Sequence, residues 1–241
     1  MIGNLINFVA IILGTALGLL LRKGIPDRLR DTIVQGQGLC VILVGLFSTF
    51  GADDATGALV QADLTCVIVC MVIGSLIGAL IDIEKRLADL GSYIEHRFVP
   101  DAGEGSIAKG FVTASLVFCV GAMAIVGPMN SGLRGDHSTL ISKSILDGVF
   151  AIFFTSSLGM GVGLSAFAVL VYQSIFALLA AWIEPMLTPD ILRQISAVGG
   201  LLITGIGLNM VYDKHHIPVG NMLPAIFLPM LYIPIINIFT N

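Results

Sequence analysis

This chain is poor in charge. Only 12% of its 241 residues are charged, whereas a soluble globular domain carries about 25%. It cannot cover itself with a polar surface, and it has no basic run of the kind that binds nucleic acid. Because hydrophobic residues make up 56% of the chain and the mean hydropathy is +0.97, most of its surface must face lipid.

Candidate metal ligands are also scarce. The chain has four cysteines, all within apolar segments: Cys40, Cys66, Cys70 and Cys119. Cys66 and Cys70 share a helix face, but two thiols make a poor metal site, and small apolar filler is the preferred interpretation. Asp213, His215 and His216 lack a further ligand and favour a solvated loop. No phosphate-binding GxxxxGK[ST] motif occurs. We therefore expect no metal and no cofactor.

Apolar segments long enough to cross about 30 Å of hydrocarbon recur along the chain. They lie at about 5–22, 33–50, 64–83, 110–127, 164–183, 195–212 and 221–239. A weaker segment at 142–160 is interrupted by TSSLGMGVG, which predicts that the fifth span is either broken or partly buried in protein. The sequence thus predicts an all-α, polytopic transmembrane helix bundle of seven or eight spans, and we choose eight.

The distribution of lysine and arginine predicts the orientation in the inner membrane. Basic residues follow the first and third spans, whereas the loop 51–63 has none and holds three aspartates. Positive charge stays on the cytoplasmic side, so the amino terminus is predicted outside. Residues 82–98 form an amphipathic helix with Leu87 and Leu90 on its apolar face. It is either a tether in the cytoplasmic interface or a contact for lipid or a partner.

Two segments repeat one another. PDRLRDTIVQGQGLCVILVGL from Pro26 is similar to PDILRQISAVGGLLITGIGL from Pro189, with a shared PDxLR start and glycines at matching offsets. In an eight-span topology the copies run in opposite senses, which is the inverted repeat of many transporters. We expect a first repeat at 1–83, an interfacial helix at 84–98, central polar spans at 110–163 and a second repeat at 164–241.

A second similarity links ILGTALGLLL at Ile12 with VIGSLIGALI at Val72. Each contains a GxxxG pattern, formed by Gly14 and Gly18 or by Gly74 and Gly78. Glycines one turn apart let two helix backbones approach closely in lipid. We expect these faces to serve helix packing, including the packing of a homo-oligomer.

Charges within a span are costly and are candidates for function. Asp147 lies about one turn into the fifth span, with Lys143 four residues earlier on the same face. Lys143, Ser144, Asp147 and Thr155 form a stripe that can line a wet pathway for a proton or cation. The alternative is a buried Lys–Asp pair that only satisfies itself.

Polar stretches flank this span. We expect Gly127-Pro128 to end the fourth span and Asn130 and Ser131 to lie in irregular backbone. Ser138 or Thr139 would then cap the next helix, whose start could attract an anion. After the span, Thr155, Ser156 and Ser157 offer hydroxyls that suit cations. Three further polar residues either line the pathway or form interhelical hydrogen bonds: Gln35, Gln37 and Asn209.

Several of these motifs together resemble a known family. MIGNLIN with ILGTALG, QGQGLCVILVG, VGAMAIVGPMNSGL with STLISKSILDG, and VGNMLPA are similar to uncharacterised prokaryotic multi-pass membrane proteins of the YdfK/YqgA type. The resemblance covers nearly the whole chain. It implies an inner-membrane protein and, more weakly, transport, and it brings no substrate with it.

We therefore expect a transporter or channel for an ion or small solute, with the fifth span lining its pathway. The alternative is a non-transporting scaffold or assembly factor that acts through helix 82–98 and the GxxxG faces. An intramembrane enzyme is the least favoured class. Only His137 with Asp136 and Ser138 approaches a catalytic set, and adjacent residues seldom converge on one substrate atom.

Overall fold

A computed structural model of the protein describes residues 2–24, 26–51, 62–98, 106–212 and 216–240. These residues contain ten α-helices and no strand: α1 Ile2–Arg22, α2 Asp27–Phe50, α3 Leu64–Ile81, α4 Ile83–Phe98, α5 Ser106–Cys119, α6 Met123–Leu133, α7 Ser138–Leu158, α8 Gly161–Ile183, α9 Pro189–Val211 and α10 Pro229–Thr240. A 3-10 segment, Val219–Ile226, precedes α10. Most of the acidic loop 51–63 lies outside the described residues.

The predicted membrane helix bundle is confirmed. Within the described ranges, six helices are long and apolar enough to cross a membrane, and two bent pairs bring the number to eight if each pair forms one span. The pairs are α5 with α6, bent by 63°, and the 3-10 segment with α10, bent by 42°.

The predicted break in the fifth span is wrong. α7 is one continuous helix of 21 residues, and the hydroxyls of Ser156 and Ser157 donate to backbone carbonyls of the preceding turn. Only Gly159 leaves helical geometry, with φ of 85°, where glycine has no steric penalty. The chain resumes helical structure at Gly161.

The predicted end of the fourth span at Pro128 is also wrong. The break lies earlier, at 120–122, where Gly121 has φ of 110°. Pro128 then falls inside α6. Proline has no N–H, and an N–H at this position would have donated to the Ala124 carbonyl in the first turn of the helix. The helix loses one hydrogen bond and continues through Asn130 and Ser131 to Leu133.

Two compact units make up the described chain. The first comprises residues 1–37, 85–119 and 123–181. Its centre is the pairing of α1 with α7. Gly3 contacts Leu140 and Gly18 contacts Ile152, which shows that the two helices run parallel. A Cβ added to Gly18 would lie 2.5 Å from the Ile152 carbonyl oxygen, so glycine is what allows this approach.

The second unit comprises residues 38–84, 120–122 and 182–241. Here α3 packs its glycines on the 3-10 segment, with Gly74 against Ala225 and Gly78 against Asn221. Glu84 of α4 lies beside the start of that segment, and its carboxylate accepts the Gly220 N–H at 2.8 Å.

The repeat segments meet in the second unit. A Cβ on Gly38 would lie 2.9 Å from the Gly207 carbonyl oxygen, and one on Gly45 would lie 2.6 Å from that of Gly200. The sequence aligns Gly38 with Gly200 and Gly45 with Gly207. In the structure Gly38 contacts Gly207 and Gly45 contacts Gly200, so the two helices are antiparallel. This pairing fits an inverted relation of α2 and α9, while the internal repeat and its domain boundaries stay predictions.

The four GxxxG glycines therefore pack inside the chain. Gly14 and Gly18 are covered by α7, and Gly74 and Gly78 by the 3-10 segment. A second copy cannot reach these faces while the helices pack in this way. The homo-oligomer stays a prediction, and it would need another surface.

Candidate functional site

A buried ion pair lies on α7. Lys143 Nζ is 2.9 Å from Asp147 Oδ1 and 2.8 Å from Oδ2, and the two residues are only 6% and 4% exposed. Their spacing of four residues places both side chains on one face of the helix. The pair predicted from the sequence is thus formed and is withdrawn from the surface.

The first helix supplies a third partner. Asn7 of α1 donates from Nδ2 to Asp147 Oδ2 at 3.0 Å. The close approach of α1 and α7 explains how an asparagine this short reaches across. Both carboxylate oxygens of Asp147 therefore hold hydrogen bonds, while Asn7 Oδ1 is buried and has no hydrogen-bond partner among the described residues.

Buried polar atoms without a partner among the described residues are concentrated in the unit that holds this pair. In the described part of the first unit seven side chains carry such atoms: Asn4, Asn7, Thr15, Ser115, Thr155, Tyr172 and Gln173. The described part of the second unit has one, Gln194. Cys119 lies within electrostatic range of Lys143 and Asp147, and Tyr172 within range of Cys119. Polar groups from α1, α5, α7 and α8 thus gather in one unit.

The hydroxyls predicted to line the pathway differ in their use. Ser144 and Ser156 donate to backbone carbonyls of their own helix, those of Leu140 and Phe153. Thr155 is fully buried and lies against Gly18, and its hydroxyl makes no hydrogen bond to any residue that the structure describes. Among these hydroxyls, Thr155 has most need of a partner from outside the protein.

The start of α7 differs from the expected anion site. The N-cap residue is His137, not Ser138 or Thr139, and the first N–H of the helix, that of Ser138, donates to Asp136 Oδ1 at 2.9 Å. This N–H holds the pKa of the Asp136 carboxyl below its ordinary value. Ser131 bonds the His137 ring at 2.8 Å. A carboxylate already occupies the position that an anion would take.

The remaining predicted polar residues form structural contacts or face outward. Gln37 donates to the Phe153 carbonyl at 2.7 Å and accepts from Ser157 at 2.7 Å, so it joins α2 to α7. Asn209 exchanges two hydrogen bonds of 2.8 Å with the Ile217 backbone. Gln35 is exposed.

The proposed loop ligands are only partly described. Asp213 and His215 lie outside the described residues, and His216 pairs with the carboxylate of Glu84. Cys66 and Cys70 are buried with their sulfurs 3.9 Å apart.

Comparison with known proteins now gives the family. The chain matches the family described as "Protein of unknown function (DUF554)" over residues 2–234. It belongs to the DUF554 family. It is similar to the uncharacterized membrane protein YdfK of Bacillus subtilis (strain 168), with 30% identity over 240 residues that cover 99% of this chain and 98% of the relative.

It is also similar to the uncharacterized protein YqgA of Escherichia coli (strain K12). The identity is 35% over 233 residues, which cover 95% of this chain and 94% of the relative. No solved structure matches the chain. The predicted family resemblance is thus confirmed, and this DUF554 chain is a membrane protein.

Sequence reasoning missed several residues of this DUF554 site. Asn7, Ser115, Tyr172 and Gln173 were not singled out, although three of them are buried in the first unit and Tyr172 is half-buried with its hydroxyl covered. Asn7 had a readable signal, since Asn4 and Asn7 lie three residues apart in an otherwise apolar first span. The other three are isolated in apolar helices and carry no comparable spacing.

Proposed function

We propose that this protein moves an ion or small solute across the membrane along the polar face of α7 in the first unit. One observation carries the proposal. Seven of the eight described side chains whose buried polar atoms have no protein partner lie in that unit, which also holds the Lys143–Asp147 pair. A buried polar atom without a partner costs about 1–3 kcal/mol, so these atoms favour water or a passing solute as their partner.

The chemistry of Asp147 favours a proton or a cation as the cargo. Its carboxylate accepts from Lys143 and Asn7, so an incoming cation can replace Lys143 as the positive partner. Such an exchange keeps the Asp147 carboxylate paired, and a buried carboxylate without a partner would cost several kcal/mol. The pair is nearly inaccessible in this conformation, and exchange therefore requires the first unit to open. We assign the protein no catalytic role.

A flux assay on reconstituted protein tests the proposal. Purified protein in liposomes is assayed for H⁺, Na⁺ and K⁺ movement, together with the double variant Lys143→Met/Asp147→Asn. The control is Ile145→Leu, on the same helix but 64% exposed. We expect flux in the wild type and control and none in the double variant. Absence of any such flux in the wild type, or full flux in the double variant, contradicts the proposal.

A scaffold function is the second candidate. α4 is held on one side by Gly91, where a Cβ would lie 3.0 Å from Ala108 Cα, while Leu90 and Tyr93 are exposed. An amphipathic helix held in this way can present apolar side chains to a partner or to lipid. If the protein is a scaffold, replacing Leu90 and Tyr93 by serine should abolish that role and leave ion flux unchanged. A loss of ion flux with the scaffold role retained supports transport.

We also propose the inner membrane as the location, with the amino terminus outside. The basic residues after the first and third spans support this orientation. Reporter fusions at residue 1 and after Arg22 test it, since the two positions should report opposite sides. Identical sides would exclude a crossing by α1.

A further inference from the structure

The seam between α1 and α7, where the two helices contact, is built differently at its two ends. At Gly18 the two backbones touch, because an added Cβ would lie 2.5 Å from the Ile152 carbonyl oxygen. At Gly3 the nearest atom of α7 belongs instead to a side chain, that of Leu140. The helices are thus in backbone contact on one side of Asp147 and are separated by a side chain on the other.

Leu140 fills the gap at the start of α7. It is 0% exposed, although Thr139 beside it is only half-buried and Ser138 is exposed. Its Cδ1 lies 2.6 Å from the position of a Cβ on Gly3, and its Cδ2 lies 3.1 Å from that of a Cβ on Gly127 of α6. Glycines on both neighbouring helices therefore leave a space that this one side chain occupies.

This side chain lies between the surface and the buried ion pair. Lys143 follows Leu140 by three residues, and Ser144 follows it by four and donates to its carbonyl oxygen at 2.6 Å. Lys143, Ser144 and Asp147 are at most 6% exposed, whereas Ser138 in the same helix is exposed. A route along the seam from the start of α7 to the pair therefore passes the Leu140 side chain.

Leu140 can move with little disruption of the backbone. It is the third residue of α7, and the first N–H groups of an α-helix have no partner within the helix. A shift of this turn therefore breaks few intrahelical hydrogen bonds. An opening at Gly18 would instead require the backbones of α1 and α7 to separate. The start of α7 is the end of the seam that opens more easily.

We propose that Leu140 is the gate that controls access to the Lys143–Asp147 pair from the side of the membrane on which α7 begins. Because α1 and α7 run parallel, this is also the side of the amino terminus. The inference rests on the proposed function, since the pair is the site to which the gate gives access. It adds the residue that closes the route and the side from which an ion arrives.

Thiol modification of Ser144→Cys tests the gate. The variant is made in a chain whose four cysteines are replaced by alanine, and its reaction with a membrane-impermeant cationic methanethiosulfonate is timed in proteoliposomes. Leu140 is then replaced by methionine, valine or alanine in this background, and circular dichroism checks the fold of each variant. Ser138→Cys, at an exposed position, marks the side on which α7 begins.

We expect Leu140→Ala to speed the modification of Ser144→Cys at least ~10-fold, which corresponds to a tenfold larger population of the open state. Leu140→Val should give a smaller acceleration, and Leu140→Met, which has a similar volume, should give none. The matched control is Leu116→Ala, a leucine of α5 in the same unit that is 5% exposed. It should leave the rate unchanged.

Three results would overturn the gate: equal rates across the Leu140 series, an equal acceleration by Leu116→Ala, or modification only from the side opposite to Ser138→Cys. Modification does not require transport, so the two proposals can fail separately. Graded modification without ion flux contradicts transport alone, whereas ion flux with equal modification rates contradicts the gate alone.

Discussion

The buried pair of Lys143 and Asp147 makes a quantitative prediction about stability. Replacing either residue alone, by Lys143→Met or Asp147→Asn, leaves the other as a buried charge without its partner. Because such a charge keeps most of its desolvation penalty, each single variant should lose about 3–5 kcal/mol of unfolding free energy.

The double variant should recover much of this loss. Methionine fills the space of the lysine stem, and the asparagine that replaces Asp147 can still accept the hydrogen bond from Asn7. No buried charge remains, and replacement of a whole buried pair is often neutral. We therefore expect Lys143→Met/Asp147→Asn to be about 2–4 kcal/mol more stable than either single variant.

Equilibrium unfolding in mixed micelles, followed by circular dichroism, measures this recovery. A parallel cycle of Asp190→Asn and Arg193→Met serves as control, since that pair is 3.1 Å apart but its side chains are 71% and 40% exposed. Its coupling energy should be below about 1 kcal/mol. An equally small coupling for Lys143 and Asp147 would refute the reasoning, because it would mean that both charges reach water without the opening of the first unit that the transport proposal requires.

Three further predictions concern packing, a loop contact and a helix cap. Gly78→Ala should lower the free energy of unfolding by about 1–3 kcal/mol, because its Cβ would meet the Asn221 backbone. Gly36→Ala has open space around it and should raise the free energy of unfolding by about 0.5–1 kcal/mol. Equal shifts of the melting temperature in the two variants would contradict this. Asn209→Leu should lower the free energy of unfolding by about 1–3 kcal/mol and speed hydrogen exchange of the Ile217 amide, which donates to Asn209. Asn209→Asp should keep that amide protected. Unchanged exchange in the leucine variant would count against the contact. Folding lowers the pKa of Asp136, so its contribution is present above the unfolded pKa of about 4 and is lost as pH falls through the folded pKa. Exchange of the Ser138 amide should therefore lose protection at acid pH in the wild type but not in Asp136→Ala, and the same profile in both would refute the cap.

The features that follow from local chemistry were predictable from the sequence. Long apolar segments reveal membrane spans because lipid accepts few charges, and the spacing of Lys143 and Asp147 alone places them on one helix face. The GxxxG glycines were expected in close helix contacts, and in the structure they lie in such contacts. These patterns are contained within single segments of the chain.

The features that depend on partners were not predictable. No local pattern states that α1 packs on α7, so Asn7 could not be connected with Asp147, 140 residues away. Pro128 and the run of hydroxyls at 155–157 looked like helix ends. The first lies inside α6, which loses the one hydrogen bond that an N–H at this position would make, and in the second the serine hydroxyls donate to backbone carbonyls of α7.

Access of water to the buried face of α7 tests the central claim most directly. In a chain whose four cysteines are replaced by alanine, Ser144→Cys, Thr155→Cys and Ile145→Cys are exposed to Ag⁺ in membrane vesicles, and protection from alkylation after denaturation is measured. Ser144 and Thr155 are 3% and 0% exposed, whereas Ile145 is 64% exposed on an apolar surface that we expect to face lipid. A hydrated route predicts that Ag⁺ protects positions 144 and 155 more than 145. Protection at 145 alone, or at none of the three, would contradict the account.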